Sequence, residues 1–280
     1  MSNLRSEIAK ILGIELSDTS SAITPSVEYT VLSYVKEDGY TRQYINFTSG
    51  SEQVPAFLLI PDELNNNPAI LINHQHNREH HLGKSEVCGL AGNPLQAFGP
   101  ALAKKGFVVL APDAVCFEER RKDPTVEGFD FWQHFHEVCY RIISGEYMMK
   151  QVLTDAMNGI TLLGNLPYVD KKRIGTLGHS MGGNTVLFLS ALDERISFAC
   201  ASGSACTYEK RMKNGVEIEM ASVIPGFHGK YDIAEQASTA YEQQKASQSL
   251  QHKRYPGGHA MTQERFELYS KLAGRRVKVA

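Results

Sequence analysis

The chain has 280 residues, of which 42% are hydrophobic and 21% charged. Twenty-nine basic side chains against 31 acidic ones leave a formal net charge of −2, which excludes binding to nucleic acid through bulk electrostatics. The apolar content excludes a disordered chain, and the longest apolar runs, such as Phe107–Pro112, fall far short of the ~20 residues that cross a bilayer.

In chain order, the opening MSNLRSEIAK has no basic start followed by an apolar stretch, so no signal peptide is expected and the cytoplasm is the expected location. Leu4, Ile8, Ile11 and Leu12 make one stripe of an N-terminal helix that Gly13 should stop. Two β-rich runs, Tyr29–Val35 and Tyr40–Phe47, flank the turn signal Glu37-Asp38-Gly39. A third, Val54–Ile60, precedes the loop Asn65-Asn66-Asn67-Pro68.

The rhythm then changes to short, wholly apolar strands alternating with helices. Strands are expected at Ala69–Asn73, Gly106–Ala111, Arg173–Leu177 and Ile196–Ala201, and helices at Pro94–Lys105, Met148–Leu163 and Met181–Leu192. Strands apolar on both faces belong in a parallel sheet between helix layers. The expected architecture is therefore a single α/β domain with a mostly parallel central sheet flanked by helices and antiparallel strands along one edge. Residues 114–145 form a long, aromatic insertion carrying Phe117, Phe129, Phe131, Trp132, Phe135 and Tyr140. It is read as cap-like, either a wall of a substrate pocket or a segment its aromatics anchor to the sheet.

Gly178-His179-Ser180-Met181-Gly182-Gly183 lies between the strand ending at Leu177 and the next helix. G-x-S-x-G in a strand–turn–helix context is a nucleophile elbow. Its glycines let strand and helix approach, and the serine sits in a strained turn at a helix N-terminus, where negative charge is favoured. A serine hydroxyl needs a base. Beyond the elbow stand only His228, His252 and His259. His259 follows the loop Pro256-Gly257-Gly258 at the carboxyl end of an expected strand, Leu250–Tyr255, and is assigned as the base. Among Asp193, Glu194, Glu209, Glu217, Glu219, Asp232, Glu235 and Glu242, Asp193 and Glu194 read as a solvated helix end. Asp232 is assigned as the acid, giving the order Ser180, Asp232, His259. The oxyanion donors expected are the backbone N–H groups of Met181 and of His76, in the loop His74-Gln75-His76-Asn77.

Two histidine groups, His74/His76/His80/His81 and His134/His136/Cys139, match no metal spacing with known mechanics, so neither a metal nor a cofactor is expected. Five cysteines (Cys88, Cys116, Cys139, Cys200, Cys206) at irregular spacings, without C-x-x-C, read as free thiols. Arg120 and Arg121 read as solvated surface arginines, with contact to an anionic substrate as the alternative.

The stretches LINHQHNREHHLGKSEV, GFVVLAPDAVCFEERR, DKKRIGTLGHSMGG and RYPGGHA together resemble the α/β-hydrolase superfamily, in its dienelactone hydrolase-like and acetyl-xylan-esterase-like branch. The resemblance implies a serine hydrolase that cleaves small ester substrates without a cofactor. The chain departs from the pattern in having Ser180 where dienelactone hydrolases proper use cysteine, and His74-Gln75 where His-Gly is usual. Residues 207–259 are also lean: either Asp232 is the acid in a compact version, or the acid-bearing strand is absent. The resulting expectation is a carboxylesterase working through an acyl-enzyme. Its rivals are a peptidase or amidase on the same machinery, and a degenerate hydrolase acting as a binding protein. Nucleic acid and membrane are not expected partners, and homo-oligomer formation stays open.

Overall fold

The computed structural model of the protein describes residues 2–16, 26–123, 125, 130–204, 208–215, 218–224 and 261–267. Helix α1 (Ser2–Leu12) ends where expected, at Gly13, whose φ of +64° favours a residue without a Cβ. Strands β1 (Tyr29–Glu37) and β2 (Tyr40–Ser49) form a hairpin with Asp38 and Gly39 at its tip, and β3 (Glu52–Pro61) continues the meander. The chain then crosses into β4 (Asn67–Asn73), α2 (Lys84–Val87), α3 (Phe98–Ala103) and β5 (Val108–Pro112). It continues through α4 (Asp130–Ile143), α5 (Met148–Asn165), β6 (Val169–His179), α6 (Met181–Leu192), β7 (Ile196–Ser202) and α7 (Tyr208–Lys213).

Seven strands join in the order β1-β2-β3-β5-β4-β6-β7. The β1–β2, β2–β3 and β3–β5 pairs are antiparallel, while β5, β4, β6 and β7 run parallel. The expected antiparallel edge is thus confirmed.

The unbroken apolar runs follow from burial on both faces. In β4, Ala69 and Leu71 pack in one cluster with α1, α5 and α6, while Ile70 and Ile72 pack in a second cluster with α2 and α3. In β5, Val108 and Leu110 join the first cluster, and Val109 and Ala111 the second. Each fully buried aliphatic side chain contributes about 1.5–3 kcal/mol, so this alternation holds two helix layers on one sheet.

Among the described secondary-structure elements, two differ from the sequence reading. The single helix expected over Pro94–Lys105 is split into a 3-10 turn, Pro94–Gln96, and α3. Pro100 has no N–H to bond the Gln96 carbonyl, so a helix begun at Pro94 cannot continue; α3 restarts with Pro100 in its first turn. The insertion contains a 14-residue helix, α4, whose aromatic residues face outward: Gln133, His134 and Val138 are buried, while Phe131, Trp132, Phe135, Tyr140 and Ile143 are exposed. A search for a buried apolar stripe passes over such a helix. The expected elements at Ala237–Gln248 and Leu250–Tyr255 lie outside the described residues.

Candidate active site

Strand β6 runs into α6 through Ser180 alone. Ser180 has φ +57° and ψ −118°, a region that costs a side-chain-bearing residue about 1–3 kcal/mol. Its surroundings impose that geometry. The Ser180 N–H donates to the Ser202 carbonyl of β7 at 2.8 Å, and the Asn184 N–H donates to the Ser180 carbonyl at 3.0 Å, opening α6.

The flanking glycines are needed for clearance. A Cβ on Gly178 would lie 2.3 Å from the Gly182 backbone, and one on Gly182 would lie 1.9 Å from the Asn73 carbonyl oxygen. Both obstacles are main chain and cannot swing aside. Gly182→Ala is expected to cost about 3 kcal/mol or to prevent folding; a urea midpoint equal to that of the parent would contradict this packing.

Asn73 ends β4, and the loop after it lies against the Gly182 turn. His74 anchors this loop. Its Nδ1 faces the Gln75 carbonyl at 2.8 Å, and its Nε2 accepts the Ala114 N–H at 3.0 Å, so the ring carries its proton on Nδ1. Burial pushes the His74 pKa down to about 4, which keeps the ring neutral. The ends of β4 and β5 are thereby tied together. A small cavity at these strand ends is lined by Asn73, His74, Asp113, Asp155, Met181 and Thr185.

Below the loop is an ionic cluster, built on the buried Lys84 and Asp113, that the sequence reading did not anticipate. Lys84 is fully buried, and its Nζ donates to Asp113 at 2.8 Å, Glu118 at 2.8 Å and Glu119 at 2.5 Å. The Lys84 and Ser85 N–H groups donate to Asp113 at 2.8 Å and Glu118 at 2.9 Å. Burial alone would lower the Lys84 pKa, but Asp113 and the two glutamates hold it above its usual value. Burial, with Glu118 alongside, raises Asp113 to about 7. The cluster fixes the segment after β5 against the segment after β4.

The arginines are neither solvated nor free for a substrate. Arg120 is buried against Asp155 at 2.7 Å and also donates to the Asp113 carbonyl at 3.1 Å; Arg121 pairs with Asp130 at 3.0 Å. Asp193 is likewise no solvated helix end: it is 4% exposed and held by Arg195 at 2.6 Å, whereas Glu194 is exposed and bridges to Arg5 at 2.8 Å.

Of the assigned site residues, Ser180 and Met181 stand at the elbow and His76 in the loop beside it. His76 is half-buried, and its Nδ1 accepts the Arg78 N–H at 3.0 Å. Asp232 and His259, like His228 and His252, lie outside the described residues. Two histidines of the first sequence group meet one of the second across the loop and α4: His76, His80 and His134 gather around Phe117. Burial, with His76 and His80 alongside, pushes the His134 pKa down to about 3. Among the described cysteines, Cys88, Cys116, Cys139 and Cys200 are free thiols. No helix among the described residues is long and apolar enough to cross a membrane.

Comparison with known proteins places this geometry in a wider set. A model of the dienelactone hydrolase family matches residues 55–278. Over 195 residues the chain is 29% identical to YtaP of Bacillus subtilis (strain 168), which is named as a hydrolase; the match covers 69% of this chain. It spans 62% of that relative, less than two thirds of its length. A solved structure from Bacteroides fragilis NCTC 9343, described as an acetyl xylan esterase, superposes with a TM-score of 0.74 at 18% identity, over 91% of this chain and 74% of its own. A glucuronoyl esterase from Solibacter usitatus gives 0.58 at 16%, over 98% and 92%. These likenesses show the α/β-hydrolase fold.

Proposed function

The chain belongs to the dienelactone hydrolase family, and from that premise we propose that it is a serine esterase with Ser180 as its nucleophile. The observation that carries this reading is the Ser180 backbone: a non-glycine residue in a strained conformation at the entrance of α6, with glycines where any Cβ would strike main chain. Strain of this kind is retained where it positions a reacting group.

In the proposed reaction the Ser180 hydroxyl oxygen attacks the ester carbonyl carbon while His259 takes its proton. The carbonyl π electrons move onto oxygen, and the Met181 and His76 N–H groups hold the resulting oxyanion. Met181 is the first residue of α6, so its N–H is one of those that a helix leaves without an internal partner. Collapse of the intermediate expels the alcohol, which takes the proton from His259. Water, activated by the same imidazole, then releases the acid and restores Ser180. Asp232 orients the imidazole. An ester is preferred to an amide because the acetyl xylan and glucuronoyl relatives are described as esterases.

A fluorophosphonate probe tests the assignment. Stoichiometric labelling of the peptide containing Ser180 is expected, together with loss of turnover on short-chain nitrophenyl esters. A folded protein that hydrolyses such esters with Ser180 unlabelled would overturn it.

A further inference from the structure

We propose that His76, His80 and His134 form a binding site for one divalent transition-metal cation of the zinc class. One ring nitrogen from each of the three lies within 4.8 Å of the other two. His80 Nε2 and His134 Nδ1 face each other at 3.0 Å. Two nitrogens bound at ~2.1 Å to a tetrahedral ion stand roughly 3.4 Å apart, so this pair is already near ligand separation. His80 is 2% exposed and His134 is fully buried.

The surroundings orient the donors. His134 Nε2 faces the Met148 sulfur at 3.1 Å. A thioether only accepts, so it holds the ring proton on Nε2 and leaves the Nδ1 lone pair directed at His80. Phe117 stacks on His80 with centroids 4.9 Å apart and meets His76 and His134 edge-on at 5.4 and 5.5 Å, shielding one side of the cluster. Imidazole donors suit zinc, copper and nickel rather than magnesium or calcium.

Binding requires two local changes. The proton shared between His80 Nε2 and His134 Nδ1 passes to His80 Nδ1 through solvent exchange. His76 gives up the Arg78 N–H contact in a turn where Asn77 and Arg78 both have positive φ. Three protein nitrogens leave a further coordination position for water. The cation would link the loop after β4 to α4, two segments far apart in sequence. It would thereby fix the backbone around His76 without taking part in the attack by Ser180.

The full chain, dialysed against a chelator and titrated with cobalt(II), tests the site. One equivalent is expected to bind, with the visible absorption of four- or five-coordinate cobalt, and zinc should displace it and raise the thermal midpoint. His80→Gln and His134→Gln should each weaken binding at least tenfold and lose the zinc-dependent midpoint shift, whereas Ser180→Ala should bind as the parent does. That last variant separates this site from the esterase reading: lost turnover with retained cobalt leaves the site standing. Absence of stoichiometric binding by the parent would overturn the proposal and leave a hydrogen-bonded aromatic cluster only. Undiminished binding by both glutamine variants would also overturn it. Should both variants fail to fold, nitrogen NMR of 15N-histidine-labelled parent decides: zinc must shift three imidazoles, and fewer than three overturns the site.

Discussion

Replacing Ser180 by alanine is expected to lower kcat on a short-chain nitrophenyl ester about a million-fold, the scale seen when a triad nucleophile is removed. The fold should survive, because the hydroxyl is not what holds the turn; the Ser202 carbonyl and the Asn184 amide hold the main chain at this residue. A second substitution sharpens the result. Ser180→Gly should be equally inactive yet more stable by about 1 kcal/mol, since φ +57° with ψ −118° is strained for serine and open to glycine. Activity and stability thus move in opposite directions at one position. Ester turnover by the alanine variant within tenfold of the parent would refute the nucleophile assignment. A glycine variant that unfolds at lower urea than the parent would refute the strain.

The second large effect is expected away from the nucleophile. Among the described residues, Lys84 is the cation that pairs with Asp113, Glu118 and Glu119, and Lys84→Met removes it. Breaking a buried ion pair by removing one partner costs about 3–5 kcal/mol when the other stays buried, as Asp113 does here, whereas Glu119 reaches solvent. The change in urea midpoint should reflect a loss of that size. Removing an exposed pair such as Lys104–Asp38, which solvent screens, should leave the midpoint essentially unchanged. A Lys84→Met cost no larger than that would show the cluster to be hydrated and weak. Asp113 sits at the end of β5 and Lys84 opens α2, so the destabilisation should be accompanied by a raised KM or lowered kcat as the two loops lose register.

Much of the frame was legible in the residues. Periodicity places α1, α5 and α6, and the two-sided apolar runs place β4 to β7, because each depends on local pattern. The elbow was legible because glycine spacing reports steric demands directly, and each of Gly178 and Gly182 proves to face main chain. What escaped depends on pairings across the chain. Lys84 and Asp113 lie 29 positions apart and His80 and His134 lie 54 apart, and no period connects them. Arg120 and Asp193 misled for a related reason: a charged side chain in a loop or at a helix end looks solvated until its buried partner is known. Helix α4 escaped because its aromatics face outward.

The strand order carries a consequence for how the molecule assembles. The β1–β2–β3 meander pairs neighbours in sequence, so its loops close at small entropic cost. β4 instead finds β6 only after about a hundred intervening residues, as the Thr176 hydroxyl on the Leu71 carbonyl marks with a separation of 105 positions. Non-local parallel pairing of this kind is intrinsically slow. Ser180 and the loop beside it stand on those two strands, so the elbow is expected to form late, after the meander, an order that pulse-labelling hydrogen exchange would read. On that order, chemical competence depends on the most distant pairing in the sheet and not on the hairpin edge.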